Sequence, residues 1–296
     1  MLPTGQPILL YYLQTTLPEL AQPGSVLYHG RQMKHTDQFF DFAAHLGITK
    51  HLGGQDATKE LIDRTRITPL SYVLDVGCGV GTTACHLAYC MSCRVVGVDL
   101  NPLMVKRARE RARHLKLSHL VDFQVADALD LPFPDETFNA VIAESATAFP
   151  DDKELALREY YRVAKPGGFI GLNEATWLKA PVPPEIEAWA SQDLGANVTP
   201  LLPDEWALLM REAGLVDIFQ RTSTISTREE SRGLLQRYGW NGFFLSLWRA
   251  VGLYLTSPAY REFLRSIREE GVTPPKLEEY FGYGIYVGKK KLFNGV

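Results

Sequence analysis

The stretch Val73-Leu-Asp-Val-Gly-Cys-Gly-Val-Gly-Thr-Thr-Ala84 constrains the fold more than any other part of the chain. It sets a short apolar strand, a glycine turn and a helix start in immediate succession. Glycine tolerates positive φ and carries no Cβ, so a ligand can approach the backbone of such a turn closely. The free amides of the following helix then face that ligand. Downstream the rhythm continues, with strands expected over 72–76, 94–98, 120–125, 138–143 and 169–173 and helices over 82–89, 102–115 and 153–164. The helix from Pro102 has proline in its first turn and basic residues towards its end. The helix from Lys153 is stopped by a turn at Pro166-Gly167-Gly168. Strands alternating with helices of this length imply parallel βαβ units in a doubly wound α/β sheet.

On either side of this core the pattern changes. Residues 31–67 suit two helices, the second opening near Gln55-Asp56 and ending before Pro69. After Glu174, prolines at 181, 183 and 184 break the chain before an aromatic-bearing helix over 185–192. A helix over 204–213, a strand over 216–222 and a last strand near 285–287 follow. The segment between those two strands is mostly helical in character and reads as an inserted cap.

Composition narrows the class of partner. Of 296 residues, 46% are apolar and 22% charged, and 31 basic against 34 acidic side chains leave a net charge of −3. No basic stripe suits a nucleic acid; the one basic run is Lys289-Lys290-Lys291. The first residues lack a secretory pattern. No apolar run reaches the ~20 residues that span a bilayer; the nearest, over 242–255, is interrupted by Arg249. Cys78, Cys85, Cys90 and Cys93 crowd together, as reduced core thiols of a cytoplasmic protein would. Cys90-x-x-Cys93 has no second pair to complete a zinc site, so no metal is expected.

The glycines alone leave two ligands open. Gly79-x-Gly81-x-x-Ala84 fits the dinucleotide fingerprint, and Asp99 at the end of the next strand suits any ribose, so a nicotinamide-dependent oxidoreductase is one reading. Asp75, two residues before Gly77, points elsewhere. Its carboxylate suits a ligand bearing an ammonium group and would repel a pyrophosphate.

Four segments carry a resemblance. Asp75-Val-Gly-Cys-Gly-Val-Gly81 resembles motif I of the class I S-adenosylmethionine-dependent methyltransferases. The run Ala126-Asp-Ala-Leu-Asp-Leu-Pro-Phe-Pro-Asp-Glu-Thr-Phe-Asn-Ala-Val141 is similar to that family's adenine-edge loop and fourth strand. Arg158-Glu-Tyr-Tyr-Arg-Val-Ala-Lys-Pro-Gly-Gly168 resembles the helix and turn before its fifth strand, and His51-Leu-Gly-Gly-Gln55 resembles a paired-glycine segment of small-molecule members that methylate quinones, tocopherols and sterols.

The resemblance implies a Rossmann-like sheet of seven strands in the order 3-2-1-4-5-7-6, with helices on both faces and the cap between the last two strands. It implies S-adenosyl-L-methionine as cofactor, S-adenosyl-L-homocysteine as product and a small-molecule methyl acceptor. Asp75, Gly77, Gly79 and Gly81 would form the turn beneath the cofactor and Asp99 would take both ribose hydroxyls. Leu103 and Met104 would stack on the adenine, with Leu100 counted beside them, while Asp127 and the Ala128 amide would read its edge. Gly53 and Gly54 would lie by the methionine end. Residues 1–67 would then be an arm and helices over the cofactor, 68–222 with 281–296 the core, and 223–280 a lid on the acceptor side.

Methyl transfer from a sulfonium is an in-line displacement that needs alignment, exclusion of water and, for some acceptors, removal of a proton. Glu144, ending the fourth strand beside the methyl group, and His51 are the catalytic candidates, with Glu174 a weaker one. After the fourth strand stands Glu144-Ser-Ala-Thr147, where base- and amine-methylating relatives carry Asn-Pro-Pro-Tyr. In the cap, Trp240, Phe243, Phe244, Leu247, Trp248, Val251 and Leu255 cover most of a helix, and Trp177, Trp189 and Trp206 add aromatics before it. These side chains either pack the cap or line a pocket for a hydrophobic or aromatic metabolite. Peripheral membrane contact and homodimerisation stay open, as does a methyltransferase fold kept for binding or regulation without turnover.

Overall fold

The structure, a computed structural model, describes residues 35–47, 49, 51–192, 198–225, 244–270 and 274–292. The expected N-terminal arm, and Trp240 and Phe243 of the cap, lie outside the described residues.

Two helices come first, α1 (His35–Leu46) and α2 (Gly54–Arg64). The core then runs β1 (Tyr72–Val76), α3 (Thr82–Met91), β2 (Arg94–Asp99), α4 (Pro102–His114), β3 (Val121–Val125), β4 (Phe138–Glu144), α5 (Lys153–Val163) and β5 (Ala164–Trp177). After it come α6 (Pro184–Gln192), α7 (Pro203–Glu212), β6 (Leu215–Thr224), α8 (244–256), α9 (Pro258–Glu270), α10 (Leu277–Tyr280) and β7 (Phe281–Lys290). The strands form one sheet in the order β3-β2-β1-β4-β5-β7-β6, with β7 antiparallel to both its neighbours. This is the order the sequence implies. Among the described residues no helix is long and apolar enough to cross a membrane.

Both faces of the sheet are covered. Leu157, Tyr160 and Trp206 from α5 and α7 fill one side, and Leu61, Leu87 and Ala108 from α2, α3 and α4 the other. The α4 start shows how local chemistry places an element. Asn101 accepts from the amides of Leu103 (2.8 Å) and Met104 (3.2 Å), Pro102 fills the first position, and Arg111, Arg113 and His114 occupy the last turn.

Pairing at the centre of the sheet sets the site. Val76 of β1 is paired with Val98 of β2 on one side and with Ala143 of β4 on the other. The next residues along, Asp99, Gly77 and Glu144, therefore stand in one row at the carboxyl edge. Glu144 is paired in turn with Asn173 of β5. Chain direction reverses around β1, so this row is the topological switch point where open α/β sheets take their ligands.

Three expectations need adjustment. Pro166-Gly167-Gly168 is not a separate turn but an irregular stretch inside β5, where the pairing jumps from Phe138–Ala164 to Ala140–Phe169 and Gly167 has φ +78. The strand itself runs on to Trp177, because Glu174 to Trp177 pair with β7. And β7 spans ten residues; Gly282, Gly284 and Gly288 within it weaken the alternation that marks a strand.

Candidate functional site

At the centre of the row the three motif glycines are all in the left-handed region, with φ +69, +52 and +73 for Gly77, Gly79 and Gly81. What excludes a side chain differs at each. A Cβ on Gly77 would lie 2.4 Å from that of Ala146, in the loop after β4, and one on Gly81 2.7 Å from the Phe123 ring. At Gly79 the obstacle is Thr49, 2.6 Å away, so the link between α1 and α2 crosses directly over the glycine turn. Gly53 is left-handed and excluded from bearing a Cβ by Tyr283, whereas Gly54 faces open space.

Asp99 and Asp75 frame the turn. One Asp99 oxygen accepts from the Gly79 amide (2.8 Å) and the other from Asn101 (2.9 Å). Asp75 is 2% exposed, and its Oδ2 has no hydrogen-bond partner. Burial first, then the nearby charge of Glu144, push its carboxyl well above the usual carboxylate range, against a pull from the Ala84 amide. Burial also raises Asp99, against the two amides that bind it.

Glu144 stands at the other side of Gly77 and is buried. Thr83 donates to its Oε1 (2.8 Å), and Thr58 (2.9 Å) and the Asn173 amide (3.4 Å) to Oε2. His51 brings Nδ1 to 3.4 Å from the same Oε2 and Nε2 to 3.3 Å from the Thr58 hydroxyl. So the two residues expected to be catalytic do come together, held by α2, α3 and β5. The Thr82 hydroxyl and Asn173 Oδ1 are buried beside them without partners. Among the described residues no lysine or arginine pairs with Asp75, Asp99 or Glu144.

The adenine-side residues are placed as follows. Met104 is buried with Ala44 and Val80, and Leu103 and Phe40 pack against them, which puts α1 over this part of the turn. Leu100 is exposed. The Leu129 amide donates to Asp127 Oδ1 (2.9 Å), forming a tight turn that carries Ala128. The Asn101 amide group donates to Asp41 of α1 (2.7 Å) and latches that helix to α4.

Glu174 belongs to the neighbouring loop. Its carboxylate accepts from the amides of Ala146 (3.1 Å), Thr147 (2.7 Å) and Ala148 (3.2 Å) and so shapes the loop after β4. Burial pushes it up to about 7, against those three amides. Its carboxylate is thus committed to the loop rather than presented to a ligand.

The cap departs from expectation. Phe244, Leu247, Trp248, Val251 and Leu255 of α8 all face solvent, as does Tyr254; Leu255 is 71% exposed, while Leu253 on the other face is 3%. The inner face docks on α1, where Ser246 (3.0 Å) and Arg249 (3.2 Å) donate to the Leu46 carbonyl. Phe42 of α1 packs against Tyr260 and Phe263 of α9, with ring centroids 5.1 and 4.9 Å away. Trp206 is fully buried and donates to the Ala175 carbonyl, and Trp177 and Trp189 meet Phe281 edge-on. These tryptophans are core.

Sequence reasoning missed Thr58, Thr83 and Asn173, the residues that hold Glu144. Asn173 left a signal: a polar residue inside the apolar run of β5. The two threonines left none, being ordinary residues of helix first turns. The cysteines pack as expected, with Cys78, Cys85 and Cys93 buried and Cys90 exposed 3.6 Å from His86 Nδ1; burial takes the Cys85 thiol up to about 11.

Residues 74–172 match the family model described as a methyltransferase domain. The chain is 31% identical over 195 residues to 27-O-demethylrifamycin SV methyltransferase of Amycolatopsis mediterranei, covering 62% of this chain and 72% of that protein. Among solved structures it is similar to the cyclase SpnF, with a TM-score of 0.64 and 23% identity over 86% of this chain and 94% of that one. It is also similar to phosphoethanolamine N-methyltransferase 2 of Haemonchus contortus in complex with phosphomonomethylethanolamine and S-adenosylhomocysteine, with a TM-score of 0.61 and 18% identity over 86% of this chain and 58% of that one.

Proposed function

This chain belongs to the class I S-adenosylmethionine-dependent methyltransferases, and on that premise we propose that it methylates a small hydrophobic or aromatic metabolite. The observation that carries the reading is the buried acidic row. Asp75, Asp99 and Glu144 gather around one glycine turn with no lysine or arginine partner among the described residues, and Asp75 Oδ2 is an orphaned acceptor. Such a site favours a ligand with net positive charge and opposes a pyrophosphate. That disfavours a nicotinamide dinucleotide.

The residues fit the cofactor group by group. Asp99, pinned by two backbone amides, has lone pairs left for two ribose hydroxyls. Asp75 Oδ2 suits the ammonium group, and the Asp127–Ala128 turn suits the edge of the adenine. We place the methionine end at Gly53, Gly54, His51 and Glu144. When bound, S-adenosylmethionine supplies a methyl group on sulfur that departs as a thioether. The chain's part is to align the acceptor, shut out water and keep the acidic row in place. The α1 helix and the link through Thr49 supply the cover.

For the acceptor, the rings of Phe40 and Phe149 meet edge-on at 5.0 Å between α1 and the loop after β4, an apolar wall on that side. The similarity to an enzyme acting on a rifamycin derivative supports a small-molecule acceptor. The exposed α8 stripe is no part of this wall.

Isothermal titration with S-adenosylmethionine and, separately, NAD tests the reading. We expect one molecule of S-adenosylmethionine per chain, no heat from NAD, and at least about tenfold weaker binding in Asp99→Ala, the loss of two charge-assisted hydrogen bonds. Binding of NAD in place of S-adenosylmethionine would sink it.

A further inference from the structure

We propose that Glu144 makes the site read the charge of its donor, holding the methylated sulfonium more tightly than the neutral thioether left after transfer. The inference rests on the donor reading above and assigns Glu144 a specificity role instead of that of a base.

The row gives the placement. Asp99 ends β2 and Glu144 ends β4, on opposite sides of Gly77. A nucleoside whose ribose rests on Asp99 extends its other end across β1 towards β4. Glu144 is therefore the carboxylate at the sulfur end.

Its surroundings keep the charge but do not cancel it. Two threonine hydroxyls and one amide, all neutral donors, occupy both oxygens at 2.8, 2.9 and 3.4 Å. With those donors in place, neither oxygen is presented to an acceptor's proton, which argues against a general base. Such a network holds a carboxylate ionised and stationary. Asp75 adds a second negative charge close by, with Oδ2 unpartnered. His51 is the one basic side chain at ion-pair distance among the described residues, 3.4 Å from Oε2.

Charge accounting follows from the ligands' chemistry. The donor bears an ammonium, a carboxylate and a sulfonium and is a net cation. Transfer removes the sulfonium charge, so the product is a net-neutral zwitterion. Only the first relieves the repulsion among the carboxylates. A site built this way sheds its product and resists inhibition by it.

Isothermal titration of the full chain with three probes tests this. They are S-adenosylmethionine, S-adenosylhomocysteine, and sinefungin, which carries a protonated amine where the sulfonium stands. We expect the wild type to bind both cations more tightly than the homocysteine. Glu144→Gln keeps the size of the side chain, and the threonine hydroxyls can turn to suit it. This variant should bind both cations roughly tenfold more weakly, about 1.4 kcal/mol, with the homocysteine affinity nearly unchanged. Equal weakening of all three probes, or no weakening, overturns the inference and leaves the donor reading standing. Failure of the wild type to bind any of them overturns both. Should the variant not fold, the wild type decides: homocysteine bound as tightly as sinefungin is a contradiction, and a clear preference for sinefungin is support.

Discussion

Glu174 and Asn101 are single residues whose roles the geometry defines sharply. Folded, the Glu174 carboxyl titrates near 7 in place of its ordinary 4.5, with burial the main cause. Between those values the folded chain holds a proton that the unfolded chain has released. The group's contribution to stability is thus fully present below about pH 4.5 and lost as the pH rises through about 7. Gln cannot titrate, so the stability gap between wild type and Glu174→Gln should narrow from about pH 5 to about pH 8. Urea midpoints at both pH values read this directly, and a gap that widens would mean that the ionised form is the stabilising one. Asn101 does two jobs, capping α4 and latching α1 through Asp41. Asn101→Ala should cost about 1–2 kcal/mol in urea unfolding. Asn101→Asp keeps the cap but places two carboxylates together, so it too should destabilise, and equal stability to wild type would show the latch to be idle.

At the scale of elements, the α8 helix separates two readings of its aromatic content. Exposed apolar side chains contribute little to folding, so Leu247→Ser should change stability by no more than about 0.5 kcal/mol. Leu253, buried on the other face, should cost about 2–4 kcal/mol when replaced by Ala. Equal costs in thermal or urea unfolding would put the stripe back in a core. In the glycine turn, Gly81→Ala has both a left-handed φ and the Phe123 ring against it; a loss of about 2 kcal/mol or more is expected, read by the same unfolding curves. These two elements also mark where sequence legibility ended. The glycine turn was readable because its chemistry is local: spacing, φ and the following helix are all written within twelve residues. The face α8 turns outward was not, because a helix apolar almost all round does not say which side meets its neighbours. That depends on Ser246 and Arg249 reaching the end of α1, a contact made across two hundred residues of chain.

Across the whole molecule, strand order and the acidic row were legible, since Asp75, Asp99 and Glu144 each end or adjoin a strand and parallel pairing brings such ends together. What the pattern could not give was how the row is held. Thr58, Thr83 and Asn173 come from three elements and converge only through the tertiary fold. The same holds for the crossing of Thr49 over Gly79. The central claim is that one ligand lies along this row, nucleoside at β2 and sulfur at β4. A crystal structure with S-adenosylhomocysteine bound tests it most directly. The account expects ribose hydroxyls on Asp99, the ammonium on Asp75 Oδ2, the adenine edge at Asp127–Ala128 and the sulfur beside Glu144. A ligand lying the other way round, or with its sulfur away from β4, would contradict it.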